Sequence, residues 1–366
     1  MHKVDFKIRI LTPLYMFGAD QINPELRESS FKGMIRFWWR AVKCCDDYDT
    51  LKKLEENIFG GVSDESGKSK INILITSQNT SVNNNLQGDY NLKWRYNSGE
   101  KRLGGKHRGI GYLFYSMLQQ NPKRKIYPKN YFKPEGNFNV SFFSRDENEE
   151  ALKNAVAAFW CAIYLGGFGS RSRRGAGSLT VEKVEGNTYG LNFIAEDCKN
   201  REELIQWIEK NISRVKEIIK PIKNRCNGYS NISNAASIIS KNHYSTWYEA
   251  LADIGNTYAD FRYNNKNDIE SGIFGLPIIH SDKSKVEARV NKEIVKRRPS
   301  PLIFKILKAR DGYYWMMLKF GGDFLPQNAV LIWNKNTKKA TTSLGLLNSF
   351  WSDLKTKNYG EHKFSL

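Results

Sequence analysis

KVDFKIRIL, residues 3–11, sets Val4, Phe6, Ile8 and Ile10 between charged or polar neighbours, the period-two alternation of a strand with one buried face. Thr12-Pro13 ends that strand, and after a loop Ser29 or Ser30 is expected to cap a helix running to about Cys44. In the helix Phe31, Met34, Ile35, Trp38, Ala41 and Val42 recur at spacings of three and four and form a core face, while Lys32, Arg36, Arg40 and Lys43 fall on a separate basic stripe. A merely solvated face would usually carry both signs of charge, yet no acid lies four residues from these cations inside the helix.

Working outward, strands are predicted over 71–77 (INILITS), 138–144 (FNVSFFS) and 178–184, with an apolar helix over 149–165. The order strand, helix, strand, strand, helix, strand is ferredoxin-like, the arrangement of RRM-type RNA binders. The aperiodic stretch from Ser81 to about Asn139 reads as an insertion. Beyond Asn187 the pattern predicts a helix over 201–220 stopped by Pro221 and polar loops at 227–242 and 263–268. It then predicts strands at 273–279, 285–291, 301–309 and 313–320, the last two joined across Asp311-Gly312, and a closing helix over 341–355. The expected class is α+β, with two ferredoxin-like (RRM-like) domains and long loop insertions. The first spans 1–190 with an insertion at about 81–137, and the second, more diverged, spans 191–366.

Across 366 residues, 57 Lys and Arg against 38 Asp and Glu leave a formal charge of +19, so a polyanion is the expected partner. With 40% hydrophobic and 13% aromatic residues the chain has the means to build a core. The cysteines Cys44, Cys45, Cys161, Cys198 and Cys226 form no CxxC pair, which points to free thiols in a reducing cytoplasm. Charges run through MHKVDFKIRI where a signal peptide needs an apolar stretch, and the apolar run Ala155–Leu165 is too short to span a bilayer, so no membrane association is expected.

Three segments carry the binding chemistry. Gly166–Ser178 packs five glycines and Arg171, Arg173 and Arg174 into thirteen residues without an acid, a composition suited to a polyanion backbone. Lys101–Lys133 holds nine Lys or Arg, among them Lys101, Arg102, Lys106 and Arg108, and no Asp or Glu. It interleaves them with Tyr112, Phe114, Tyr115, Tyr127, Tyr131 and Phe132, rings on which bases can stack. Lys292–Arg310, with Glu293 as its one acid, includes Lys296, Arg297 and Arg298. The expected RNA contacts are Lys32, Arg36, Trp39, Arg40, Lys43, Lys101, Arg102, Lys106, Arg108, Gly167, Gly169, Arg171, Arg173, Arg174, Gly175, Arg297 and Arg298. For each, packing or a solvated surface is the competing explanation.

Gly61–Ser69 ends in Gly-Lys-Ser but has five residues between its glycines and two acids where phosphates would lie, so it reads as a surface loop and not as a nucleotide site. The histidines His2, His107, His243, His280 and His362 form no HExxH or HxH pair, and no acidic cluster has two-metal spacing. No metal, cofactor or catalytic residue is expected. The enzymatic alternative is a metal-free endoribonuclease using His107 or His243 as general base. A third possibility is a subunit that binds only protein.

Thr12-Pro13, Phe17-Gly18, Pro24-Glu25-Leu26-Arg27, SFKGMIRFWWRA at 30–41 and the Gly/Arg loop at 166–178 together resemble the RAMP superfamily. SFKGMIRFWWRA, Phe274–Ile278 and Arg297–Leu302 are similar to the first-subunit family of the Cmr complex of type III-B CRISPR systems. That resemblance implies a non-catalytic subunit of a multi-subunit RNA-guided effector in the cytoplasm. Its implied partners are guide RNA toward the 3′ end, target RNA and other Cmr complex subunits. RAMP members that process guide precursors commonly carry a histidine after the first strand, and none occurs here between His2 and His107.

Overall fold

Strand β1 (His2–Ile10) buries Val4, Phe6, Ile8 and Ile10 and turns Lys3, Asp5, Lys7 and Arg9 outward, as its alternation requires. The structure, a computed structural model, describes all residues except 62–66, 101, 120–126, 146–148, 281, 292, 336–337, 342 and 364–366. The chain continues through α1 (Glu28–Lys43), α2 (Tyr48–Phe59) and β2 (Ile71–Asn79) into an insertion that contains the short helix α3 (Arg108–Leu113). After it come β3 (Asn137–Ser144), α4 (Glu150–Tyr164) and β4 (Leu179–Gly186). These strands form an antiparallel sheet in the order β2-β3-β1-β4. Phe6, Phe142 and Phe159 meet where α4 crosses it, and Phe31 of α1 lies against Phe138 with ring centroids 5.8 Å apart.

Helix α5 (Arg201–Ile219) packs Trp207 against Trp160 and Tyr164 of α4, so the connection to the second half rests on the first core. The second sheet consists of β5 (Asn231–Ile239), β6 (Leu302–Ala309), β7 (Gly312–Gly321) and β8 (His362–Lys363), ordered β6-β7-β5-β8. Helix α6 (Trp247–Asn264) follows β5, and α7 (Gly345–Leu354) precedes β8. If the strands of each sheet are numbered along the chain, both sheets run 2-3-1-4. A smaller sheet built on Lys285–Val290 and Val330–Trp333 is inserted on either side of β6 and β7.

The sheets differ in burial, and the reason is tertiary. One face of the second sheet meets the first half: Phe320 of β7 lies 5.8 and 5.4 Å from Phe37 and Trp38 of α1. Its other face meets α6, where Tyr258 and Phe304 are 4.9 Å apart. β6 and β7 are therefore buried on both sides, and their sequences read as continuous apolar runs instead of alternating.

Several expectations need correction. Residues 227–242 are not all loop, since β5 is a central strand. It is squeezed between two cores and uses small or polar residues, with Asn231 donating to the carbonyls of Cys226 and Tyr229 and accepting from Ser233. Helix α6 falls where no element was expected, because its buried positions Ala250, Leu251, Ile254 and Tyr258 are mixed with polar ones. The expected strand at 273–279 begins as a 3-10 turn, Ile269–Phe274, and only Ile278–Ile279 pairs as strand. Helix α1 starts one residue before Ser29, with Arg27 at its N-cap and no side-chain cap.

Lys305 of β6 is buried between the halves, and among the described residues its amine reaches one acceptor, the Leu179 carbonyl at 3.4 Å. Burial holds its pKa well below the ordinary lysine value of 10.5. Between the folded value and 10.5 the unfolded chain carries a proton that the native chain lacks, so stability rises with pH across that window and levels off above it. Lys305→Met, close in shape and free of the ionisation, is expected to stabilise the chain at pH 7 by about 1 kcal/mol or more and to gain nothing above pH 10.5. Urea unfolding at both pH values measures this, and a destabilised variant at pH 7 would refute it.

Candidate nucleic-acid interface

The Gly/Arg loop is a tightly hydrogen-bonded fold. Ser170 N donates to Tyr15 O at 2.7 Å, Gly177 N to Pro13 O at 2.9 Å, and Arg174 N to Arg171 O at 2.7 Å. Phe304 N of β6 donates to Arg173 O at 3.1 Å, which ties the loop to the second sheet. Its glycines answer to backbone packing. At Gly169 (φ +76°) an added Cβ would lie 2.4 Å from Tyr15 O, and at Gly177 (φ +61°) 1.9 Å from Phe168 O. Gly167 and Gly175 are likewise enclosed, facing the carbonyls of Ala176 and Gly177 and the Leu251 side chain. Thus Gly167, Gly169 and Gly175 let the loop close on the protein itself.

The loop arginines divide by role. Arg173 is sandwiched over Phe37 and Phe320, 5.3 and 5.2 Å from the ring centroids, and donates to Ser300 O at 2.7 Å. Burial, and then Arg298 and Arg174 beside it, lower its pKa to about 10, so it stays charged at neutral pH while bridging the halves. Arg174 reaches into the second half, donating to Phe274 O and lying over Tyr258 and Phe304. Arg171, in a left-handed conformation (φ +61°), bonds through Nε to Ser116 Oγ at 2.8 Å and has Arg297 within electrostatic reach. Arg297 is exposed, whereas Arg298 turns inward and donates to the carbonyls of Asp323 and Phe324.

The basic stripe of α1 lies elsewhere. Arg36 and Arg40 both pair with Glu55 of α2, whose side chain is only 6% exposed. Lys43 donates to the carbonyls of Ile219 and Lys220 at the end of α5, each at 3.0 Å. Trp39 is buried and bonds Asn154 Oδ1 at 2.9 Å, so no base can stack on it. The acid that pairs with Arg36 and Arg40 is thus supplied by the neighbouring helix. Lys32 alone of the four finds no ion-pair or hydrogen-bond partner among the described residues.

In the insertion, Arg108 pairs with Asp260 at 2.5 Å, Arg102 with Glu100 and Asp260, and Lys106 with Glu249 at 4.0 Å. These contacts dock α3 on α6, where Gly109 and Gly255 let the backbones approach closely. Phe114, Tyr131 and Phe132 are core residues, while Tyr115, Tyr127 and Tyr112 are 59%, 58% and 36% exposed. Lys101, Lys292 and the middle of the Gly61–Ser69 loop lie outside the described residues. The basic residues of β1 on the outer face of the first sheet are paired: Lys3 with Asp5, Lys7 with Glu182, and Arg9 with Glu182 and, beyond the sheet, with Glu135 and Glu196.

Loop, insertion and second half meet at a seam, where the part-exposed Arg171 has exposed Arg297 and Tyr112 within electrostatic reach, and its partner Ser116 follows exposed Tyr115 in the chain. Arg262 and Tyr258 of α6 belong to the same seam and were missed, although their spacing of four residues would have put them on one helix face. His107 accepts from Lys93 N at 2.9 Å and is buried, and burial with Lys106 lowers its pKa. His243 is exposed, 3.7 Å from Asp311. Among the described residues no group of three or more His, Cys, Asp or Glu is placed to hold a metal, and no helix is long and apolar enough to cross a membrane.

Residues 7–180 match the family model of the RAMP superfamily. The chain is 32% identical over 193 residues to the CRISPR system Cmr subunit Cmr1-2 of Pyrococcus furiosus, covering 97% of that protein and 50% of its own length. It is 24% identical to Cmr1-1 of the same organism over 86% of each chain. The apo crystal structure of Cmr1 from Pyrococcus furiosus superposes with a TM-score of 0.66 at 21% identity, covering 100% of this chain and 99% of that one. A chain of a type III-B Cmr-beta complex bound to cognate target RNA gives 0.55 at 15% identity over 97% and 99%.

Proposed function

The chain belongs to the Cmr1 family of the RAMP superfamily, and from that premise we propose that it is a non-catalytic RNA-binding subunit of a type III-B CRISPR effector complex. Guide RNA, toward its 3′ end, target RNA and other Cmr subunits are its partners; the fold shared with a chain of a Cmr-beta complex bound to cognate target RNA supports the target RNA and the Cmr subunits. The strand order shared by the two sheets supports a pair of ferredoxin-like domains, the second interrupted by the smaller sheet. A cytoplasmic location accords with five free, buried cysteines.

The observation that carries the reading is the seam, where the part-exposed Arg171 has exposed Arg297 and Tyr112 within electrostatic reach and bonds Ser116, which follows exposed Tyr115 in the chain. Guanidiniums next to exposed rings suit a single strand, with phosphates on the cations and bases on the rings. The RRM mode, in which bases stack on the open sheet, does not fit, because one sheet is covered on both faces and in the other the basic residues of β1 are paired.

Binding of single-stranded RNA is expected to weaken log-linearly with salt, and Arg171→Ala with Arg297→Ala should lower affinity about tenfold or more and flatten the salt slope by about 1.4, roughly 0.7 per phosphate contact. Fluorescence anisotropy over a salt series measures both. An unchanged slope in the double variant would move the RNA elsewhere. Cleavage of labelled RNA lost in His107→Ala or His243→Ala would instead establish the nuclease reading.

A further inference from the structure

At and beneath the seam Arg171, Arg174 and Arg262 converge, and no carboxylate among the described residues pairs with them. Arg174 lies with its guanidinium carbon 5.0 Å from the Tyr258 ring centroid, and Arg262 approaches the same ring at 5.9 Å and the Phe274 ring at 4.8 Å. Arg262 Nη1 is 3.4 Å from the Tyr258 hydroxyl. Tyr112 packs edge-on to Tyr258 at 5.9 Å, and its hydroxyl is within electrostatic reach of Arg171, Arg174 and Arg262 together.

The protein uses only part of this donor set. Arg174 spends Nη2 on Phe274 O and Arg171 spends Nε on Ser116 Oγ. Arg174 Nη1 and Arg262 Nε are buried with no acceptor among the described residues and lie against aromatic rings. For Arg262 Nη2 and both terminal nitrogens of Arg171, no acceptor occurs among the described residues. Burial raises the pKa of the Tyr258 phenol, but the two guanidiniums outweigh it and hold the group below its ordinary value. Asp260 of α6 is committed to Arg108 and Arg102, and Glu270 to Ser343. Uncompensated guanidiniums crowded in a half-buried site are costly unless an anion joins them.

We propose that Arg171, Arg174 and Arg262, with the hydroxyls of Tyr112 and Tyr258 among them, form a seat for a single phosphate group between the Gly/Arg loop, α3 and α6. A tetrahedral dianion suits guanidinium forks that approach from different elements, and phenols complete it as neutral donors. The loop comes from one half of the chain and α6 from the other, so an occupant links the two. The source is a phosphate of bound RNA or free inorganic phosphate, and only the first of these rests on the RNA-binding reading.

Isothermal titration of the purified chain with inorganic phosphate, at ionic strength matched with sodium chloride, should show a single saturable site. Arg262→Met should weaken it about tenfold or more, and Lys183→Met, on an exposed edge paired with Glu185, should leave it unchanged. If Arg262→Met fails to fold, Arg171→Met, nearer the surface, replaces it. Repeating the titration on chain saturated with a short single-stranded RNA separates the sources. Loss of the phosphate site identifies an RNA phosphate as occupant, and its retention identifies free phosphate. No phosphate binding by the wild-type chain, as expected if a Tyr258 phenolate supplies the countercharge, overturns the seat even where RNA binds. Phosphate binding without RNA binding overturns the RNA reading alone.

Discussion

Gly177→Ala is expected to destabilise the chain by about 3 kcal/mol or more and to weaken RNA binding with it. The residue sits at φ +61°, where a side chain costs about 1–2 kcal/mol. The new Cβ would also stand 1.9 Å from Phe168 O, an atom that cannot move freely because Phe168 and Gly177 are joined through Phe168 N and Gly177 O. Relieving that clash opens the base of the loop and shifts Arg171 and Arg174 from the seam. The control is Gly33→Ala in α1, where nothing lies within 4 Å of the added atom and the better helix propensity should stabilise by about 1 kcal/mol. Urea unfolding and RNA anisotropy on both variants test this. Equal stability of the two would show that the loop is not held as its hydrogen bonds indicate.

Glu55→Ala is the second large effect, a loss of about 2–3 kcal/mol. Removing one member of a buried ion pair costs about 3–5 kcal/mol because the partner is left uncompensated. Here two guanidiniums lose a shared carboxylate, but they are 32% and 36% exposed, and water screens part of the penalty. A double-mutant cycle with Arg36→Ala isolates the pairing, and additive losses would show that no coupling exists. The same variants bear on function. With its charge committed to Glu55, Arg36→Ala should reduce RNA affinity far less than Arg171→Ala. A comparable loss would return the α1 stripe to the RNA interface.

The stripe also shows where sequence reading stopped. The reading that acids are missing at i±4 fails at one end, since α1 begins at Glu28, four residues before Lys32; for Arg36 and Arg40 charge compensation is satisfied in three dimensions, by Glu55 on the next helix. The Gly/Arg loop was found from composition, yet composition cannot distinguish glycines that admit a ligand from glycines that admit the chain's own carbonyls. Trp39 looked available for stacking only because its Asn154 partner is 115 residues away in sequence.

By itself the sequence determined the first sheet, since strands with one exposed face alternate and helices with one buried face repeat at three and four residues, so β1, α1, β3 and α4 carry their environments in their own order of residues. It also determined the family, through motifs spread along the chain, and the excess of positive charge that calls for a polyanion. Only the tertiary structure decided that the second sheet is covered on both sides, which removes the alternation from β6 and β7 and makes β5 resemble a loop. It alone decided which cations are spent on the protein. Whether an arginine is free depends on carboxylates, carbonyls and rings brought beside it from distant segments, and that proximity left Arg297 exposed and Arg171 part-exposed at the seam while Arg36, Arg40, Arg108 and Arg173 became internal fastenings.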